Sequence, residues 1–228
     1  ALVNKGVTLA IMNRPEDAIA VYDEVMWRFG ESEIKALSEA AAMAMSNKAD
    51  ILLKTGSLER ALAAYESSQG LWPGGPLAIY GRFSTLRKMN KENEAFSYLN
   101  EILEPSSLPE TTGITLSTLL IKDFAQDNVR LRRVAEAYKN CDKIGSLVGG
   151  LVGWIRQLLP MSESDTRDLE KAEETLMEVF AEISQAKSAL DMLAAARKDA
   201  LGDTKALLDL PLELRRLIQR EKGEEPDN

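Results

Sequence analysis

Residues 4–30 read NKGVTLAIMNRPEDAIAVYDEVMWRFG, and residues 47–73 repeat their pattern as NKADILLKTGSLERALAAYESSQGLWP. The aligned positions share residue types, namely Asn4-Lys5 with Asn47-Lys48, Ala18 with Ala61, and Tyr22 with Tyr65. A small residue four positions before an aromatic one, just after a turn, is typical of a helical hairpin that stacks on its neighbours. The repetition therefore predicts an architecture built from helical hairpins.

The composition indicates a helical protein with an ordinary hydrophobic core. Hydrophobic residues make up 45% of the 228 residues and charged residues 28%, which is the balance of a typical soluble chain. Ala, Leu, Glu and Lys are abundant, and all four favour helix. No run of valine and isoleucine alternates with polar residues as a half-buried strand would. We therefore predict an all-α fold.

Charge and the rarest residue types limit the possible functions. The formal charge of −8 argues against nucleic acid as the main ligand, because phosphates bind clustered cations. Histidine is absent from the sequence, which removes the commonest general base and the commonest metal ligand together. Cys141 is the only cysteine, so no internal disulfide can form and a reducing, cytoplasmic location fits best. We predict neither a metal nor a cofactor.

A third hairpin follows the first two at a shorter spacing. It covers residues 77–103 with Asn90 at its turn, and Ala95 takes the place of Ala61. Ala61 and Ala95 are 34 residues apart, whereas Ala18 and Ala61 are 43 apart. The difference of nine residues is explained by a longer helix in the second hairpin, over 33–55. Residues 110–142 predict a fourth, degenerate hairpin.

This pattern resembles the tetratricopeptide repeat family, whose hairpins recur about every 34 residues and stack into a right-handed superhelix. Residues 1–30 are closely similar to a long variant of the repeat that occurs in tandem arrays of bacterial proteins. Residues 44–73 match the general pattern well. Residues 77–104 depart from it at Phe83, where a small residue is usual, and at Leu99, where an aromatic is usual. The resemblance implies an α-solenoid of three clear hairpins and one degenerate hairpin.

The resemblance also implies where a partner would bind. In this family the first helices of successive hairpins line a concave wall, and the second helices pack outside it. The corresponding positions are apolar in the first hairpin and polar or charged in the next two. They are Val3, Val7 and Ala10, then Ser46, Asp50 and Lys54, and finally Tyr80, Ser84, Arg87 and Lys88.

One known binding mode of the family is not supported. Its members that clamp a C-terminal carboxylate use Lys and Asn at set points of the wall. The matching positions here hold Val3, Val7, Ser46 and Asp50. The pairs Asn4-Lys5 and Asn47-Lys48 recur at one place in the repeat, which indicates a structural role between neighbouring hairpins.

The densest cationic stretch of the chain lies in the fourth hairpin. It contains Arg130, Arg132 and Arg133, with Lys139 and Lys143 further on. Such a run is usually a solvated helix face. Its functional interpretation is a dock for an acidic segment of a partner.

The sequence changes character after the predicted repeats, which occupy residues 1–143. Residues 144–159 place Gly145, Gly149 and Gly153 on one helical face, as in helices that pack very closely. Because this stretch is short for a membrane span and contains Arg156, we expect a packed helix rather than a membrane contact. The helical C-terminal region extends over 144–223, and residues 224–228 form a charged tail that we expect to be disordered.

A long helix over 163–201 dominates this C-terminal region. A heptad stripe runs along it through Leu169, Leu176, Ile183 and Leu190. Four heptads predict coiled-coil-like packing against another helix. That helix can belong to the same chain or to a second copy, so a homo-oligomer formed through 163–201 is one alternative.

The motifs of common enzyme classes are absent from the sequence. It contains no glycine-rich phosphate loop, dinucleotide fingerprint or nucleophile elbow. We therefore predict a non-catalytic scaffold that binds a peptide or helix of a partner protein on a preformed wall. Two alternatives are a self-assembly module and a regulatory or sensor module of a larger bacterial signalling or defence effector. The second alternative follows from the alignment of Ala1 with mid-helix Ala44.

Overall fold

The computed structural model describes residues 1–104, 108–158 and 163–180, and these residues form ten α-helices. In chain order they are α1 (Leu2–Ile11), α2 (Pro15–Phe29), α3 (Lys35–Lys54), α4 (Leu58–Leu71), α5 (Pro76–Lys88), α6 (Glu92–Leu103), α7 (Glu110–Phe124), α8 (Asn128–Asn140), α9 (Ile144–Leu158) and α10 (Glu163–Phe180). The prediction of an all-α fold is confirmed. The chain divides into unit 1, Ala1–Glu101, and unit 2, which begins at Ile102.

The hairpins of unit 1 share one kind of turn. Asn13, Gly56 and Asn90 each follow a first helix, and their φ angles are 56°, 81° and 61°. The N–H of the residue after each turn donates to a carbonyl five residues back, as in Arg14 to Leu9. This is the Schellman arrangement, which needs a left-handed residue and therefore favours Gly or Asn. The turn folds each second helix back against the first.

Small residues set the packing distances within unit 1. A Cβ atom on Gly6 would lie 2.3 Å from the Tyr22 ring, and one on Gly81 would lie 2.2 Å from the Tyr65 ring. Tyr65 is fully buried, and the side chain of Tyr22 is 1% exposed. Tyr22 and Tyr65 therefore each fill the space that a glycine leaves on a facing helix. Ala18 and Ala61, the small residues one turn before these two tyrosines, are fully buried as well.

The fourth hairpin, formed by α7 and α8 in unit 2, keeps the same core despite its degenerate sequence. Val134 and Tyr138 are fully buried, and the Tyr138 hydroxyl donates to the Gly113 carbonyl at 3.1 Å. Asp127 caps α8 by accepting a hydrogen bond from the Arg130 N–H at 3.1 Å. A polar cap has thus replaced the glycine or asparagine turn of the earlier hairpins.

The glycine-rich helix α9 packs closely against α7. The Ser117 hydroxyl donates to the Ser146 carbonyl at 2.7 Å, and a Cβ on Gly150 would lie 1.8 Å from that hydroxyl oxygen. Gly149 and Gly153 also face α7, whereas nothing lies within 4 Å of a Cβ on Gly145. The predicted close packing is confirmed, with Gly150 rather than Gly145 at the closest approach. Among the described helices, none is both long and apolar enough to cross a membrane.

Candidate functional site

The first helices of unit 1 lie next to one another, with α1 contacting α3 and α3 contacting α5. Each of the second helices α2 and α4 packs between the first helix of its own hairpin and that of the next. The predicted wall positions therefore lie on one set of neighbouring helices. We call the six polar members that remain exposed or half-buried the α3–α5 face: Asp50, Lys54, Tyr80, Ser84, Arg87 and Lys88.

Ser46 does not belong to this face. It is 5% exposed, and its Oγ lies 2.8 Å from the Oγ of Ser68 on α4. Ser68 in turn donates to the carbonyl of Ala42 at 2.7 Å. The two hydroxyls join α3 to α4, so the burial contradicts the expectation that Ser46 meets a partner.

Asp50 of α3 belongs to a polar cluster on the α3–α5 face. The hydroxyl of Tyr65 crosses from α4 and donates a hydrogen bond to Asp50 Oδ1. Lys54, one turn along α3, lies close enough to attract the carboxylate, and Tyr80 of α5 lies near the Tyr65 hydroxyl. Three helices thus contribute to one polar cluster, which fixes the position of the carboxylate before any ligand binds.

The ionisation of this cluster is set by desolvation. Partial burial raises the pKa of the Asp50 carboxyl, and the Tyr65 hydrogen bond and the Lys54 charge offset part of that effect. Burial and the negative charge of Asp50 both raise the pKa of Tyr65 far above its usual value. Tyr65 therefore remains a protonated donor at neutral pH, while Asp50 is a carboxylate that the fold stabilises less well than water does.

Replacing Asp50 with Asn should raise the Tm near neutral pH. A carboxyl with a raised folded pKa disfavours the folded state while it is charged, and this penalty is lost as pH falls through its ordinary pKa. The amide of Asn still offers an oxygen to Tyr65. We expect the Tm difference between the two proteins to shrink at about pH 4 in thermal scans followed by circular dichroism. An equal difference at both pH values would contradict this assignment.

Arg87 and Lys88, in the last turn of α5, add two cations to the α3–α5 face. The Arg87 guanidinium lies 5.9 Å from the centre of the Phe83 ring, within the range of a cation–π contact. Phe83 itself is fully buried and packs edge-on against Phe96, with ring centroids 5.3 Å apart. Lys88 is exposed at the last position of α5. The charge of Arg87 is therefore held on a rigid aromatic base, and Lys88 adds a second positive charge beside it.

Arg82, on the same helix as Arg87 and Lys88, has a structural role. It makes an ion pair with Glu66 at 3.2 Å, and its guanidinium stacks over the Tyr98 ring at 4.5 Å. Both partners belong to neighbouring second helices, α4 and α6. Arg82 therefore connects hairpins and does not contribute to the α3–α5 face.

The corresponding positions of α1 are apolar. Val3 and Ala10 are half-buried, Val7 is exposed, and Ile11 beside them is 80% exposed. The first-helix side of unit 1 thus changes from apolar on α1 to polar and cationic on α5. A ligand that spans these helices would meet both kinds of surface.

Sequence reasoning missed Tyr65 as a member of the site, because it assigned this residue to the core alone. The ring is indeed core, but its hydroxyl reaches the α3–α5 face. The available signal was the residue type, since a buried tyrosine needs a hydrogen-bond partner that a phenylalanine does not.

The predicted dock for an acidic partner is used within the chain. Arg130 makes an ion pair with Asp127 at 2.5 Å, and Arg132 makes one with Glu178 of α10. Arg133 also interacts within the protein. Arg132 therefore already has an acidic partner on α10 of the same chain, and binding of an external acidic segment by Arg130, Arg132 and Arg133 stays a prediction.

The described part of the heptad stripe is also covered within the chain. Leu169 and Leu176 are each 1% exposed, and α10 packs against α8. Lys171 of α10 further donates to the Gln126 carbonyl at 2.9 Å. Leu169 and Leu176 are therefore not available for self-association in this fold. Ile183, Leu190 and the rest of the predicted 163–201 helix lie outside the described residues, as does the tail.

The described residues contain no group of three or more His, Cys, Asp and Glu placed to hold a metal ion. Burial and the nearby Glu104 raise the pKa of the Cys141 thiol. This direction is opposite to that of a reactive thiolate.

No protein-family model matches the chain, and no curated protein matches it in sequence. Among solved structures, the chain is similar to a tetratricopeptide repeat protein from Parabacteroides merdae ATCC 43184. The two are 16% identical, the alignment covers 95% of this chain and 96% of that chain, and the TM-score is 0.26. A likeness of this size establishes neither family nor function. Both have to be inferred from the residues of the chain itself.

Proposed function

We propose that this protein is a non-catalytic interaction scaffold that binds a peptide or helix of a partner protein on the first-helix side of unit 1. The observation that carries the proposal is the Asp50–Tyr65 cluster, which holds a partly desolvated carboxylate on an accessible face. Groups fixed in this way on helices lose little entropy when a ligand binds. Asp50 can accept a hydrogen bond from a backbone N–H of the ligand. The neighbouring cations can bind carboxylates of the ligand.

Charge indicates which ligands fit. The α3–α5 face has three cations, Lys54, Arg87 and Lys88, and one carboxylate, on a protein whose net charge is −8. A local positive surface on an acidic protein attracts acidic segments and repels basic ones. The apolar surface of α1 would accept hydrophobic side chains of the same ligand. We therefore propose a partner segment with acidic residues next to apolar ones.

Selection from a random displayed-peptide library on the immobilised full chain tests this proposal. We expect the recovered peptides to be enriched in Asp and Glu beside at least one large apolar residue. Their binding should weaken as salt rises, because exposed charge pairs are screened. Recovered peptides no richer in acidic residues than the input library would contradict the proposal.

A further inference from the structure

Both junctions between hairpins in unit 1 contain an ion pair at the same repeat position. Lys48 of α3 lies 2.5 Å from Asp23 of α2, and Arg82 of α5 lies 3.2 Å from Glu66 of α4. Lys48 and Arg82 occupy equivalent positions, and so do Asp23 and Glu66. Each junction therefore pairs a cation on a first helix with a carboxylate on the preceding second helix. That carboxylate directly follows the buried tyrosine of its repeat.

The helix α1 has matching junction residues, and within residues 1–104, 108–158 and 163–180 no preceding second helix packs against them. Lys5 occupies the position of Lys48 and Arg82, is exposed, and makes no ion pair with any residue that the structure describes. Asn4 occupies the position of Asn47. Burial raises the pKa of the Tyr22 hydroxyl, and the side chain of Asn47 beside it offsets part of that effect. Asn4 is exposed.

Thr8 provides a third match. Its position is taken by Ile51 in α3 and by Thr85 in α5, and both are buried, whereas Thr8 is exposed. Thr85 donates its hydroxyl to the Gly81 carbonyl at 2.7 Å, and Thr8 donates to the Asn4 carbonyl at 3.0 Å. Because this bond satisfies the hydroxyl without water, a threonine here is compatible with burial.

We propose that Asn4, Lys5 and Thr8 form a docking surface, the α1 junction surface, for the second helix of a further hairpin of the same type. The chemistry of the occupant follows from the two internal junctions. Its helix carries a tyrosine followed by aspartate or glutamate, with a small residue one turn before the tyrosine. The tyrosine hydroxyl would meet Asn4, and the carboxylate would pair with Lys5.

A second copy of this chain does not supply that helix. Its pairs Tyr22-Asp23 and Tyr65-Glu66 are already covered by α3 and α5. The pair Tyr138-Lys139 has a cation where Lys5 requires a carboxylate. Neither of the two remaining tyrosines of the sequence is followed by an acidic residue. The occupant is therefore a hairpin from outside these 228 residues.

The test is a fusion that supplies such a hairpin. A second copy of residues 1–43 is placed before Ala1 of the full chain, so that the repeat continues in register because residue 44 aligns with residue 1. The copy then presents its own Tyr22-Asp23 to the α1 junction surface. We expect the fusion to raise the Tm of unit 1, since neighbouring repeats stabilise each other. An unchanged Tm, with the added hairpin unfolding separately, would overturn the proposal.

Charge substitutions make the test specific. Lys5→Glu should leave the Tm of the unfused chain unchanged and lower the folding equilibrium constant of the fused chain by about two- to fivefold. Adding Asp23→Lys in the added copy to the fused chain that carries Lys5→Glu should restore the folding equilibrium constant. Lys122→Glu on α7 is the matched control, because it makes the same charge change at an exposed site of unit 2. An equal effect of Lys5→Glu on fused and unfused chains would contradict a junction role.

Sedimentation of the unfused chain tests the identity of the occupant. We expect Lys5→Glu to have no effect on its oligomeric state. A dimer that dissociates on this substitution would place a second copy on the α1 junction surface and overturn the assignment to another hairpin.

Discussion

Tyr65→Ala is expected to lower the free energy of unfolding by about 3–5 kcal/mol, in the range of other large aromatic truncations. The ring is fully buried, and Gly81 of the next hairpin lies directly against it. Removing the ring leaves a cavity between α4 and α5 that the rigid helices can close only in part. It also removes the hydroxyl that positions Asp50. Urea denaturation followed by circular dichroism measures the loss.

Tyr65→Phe is the matched control for this substitution, because it keeps the ring and removes only the hydroxyl. The loss should be about 0.5–1.5 kcal/mol, the usual net value of one hydrogen bond. If Tyr65→Phe were as destabilising as Tyr65→Ala, the packing of the ring against Gly81 would not be what stabilises the junction.

Gly150→Ala is expected to destabilise unit 2 by about 1–3 kcal/mol, the usual range for overpacking. The added Cβ would lie 1.8 Å from Ser117 Oγ and 2.7 Å from the backbone nitrogen of Thr118. The serine can rotate, but the backbone of α7 cannot give way without moving the helix. Trp154 of α9 is buried, so its fluorescence reports the change in a chain with Trp27 and Trp72 replaced by Phe.

Gly145→Ala is the control on the same helix. Nothing lies within 4 Å of a Cβ at Gly145, so the substitution should gain only the higher helix propensity of alanine, at most about 1 kcal/mol. Equal effects of the two substitutions would contradict the close packing of α9 on α7 at Gly150.

The hairpins could be predicted from sequence because their signals are local and repeated. Ala18, Ala61 and Ala95 mark one position in three copies, and each is fully buried in the structure. The degenerate hairpin was also predictable, since Val134 and Tyr138 keep the same spacing. A buried small residue and a buried aromatic residue one turn apart leave a periodic pattern that one sequence is enough to show.

The contacts that decide the roles of single residues are long-range and leave no such pattern. Ser46 resembles an exposed wall residue until Ser68, 22 positions later, is seen to face it. Arg132 resembles a free cation until Glu178, 46 positions later, pairs with it. The heptad residues Leu169 and Leu176 specify that α10 packs on another helix, but they do not specify that this helix is α8.

The α3–α5 face was likewise predictable only in part. The resemblance placed Asp50, Lys54 and Arg87 on neighbouring first helices, and the structure leaves them exposed or half-buried there. The contribution of Tyr65 depends on a hydroxyl that reaches across from α4. That reach depends on the distance between two helices, which the sequence alone does not state.

A binding comparison tests whether the α3–α5 face recognises acidic partner segments. Fluorescence anisotropy of a labelled library-selected peptide is measured with the full chain, with Arg87→Glu/Lys88→Glu, and with the charge-matched Arg60→Glu/Lys122→Glu. We expect the first variant to weaken binding about tenfold, as the loss of two surface charge pairs would. The control should bind like the unaltered chain. Equal affinity of all three proteins would contradict the account.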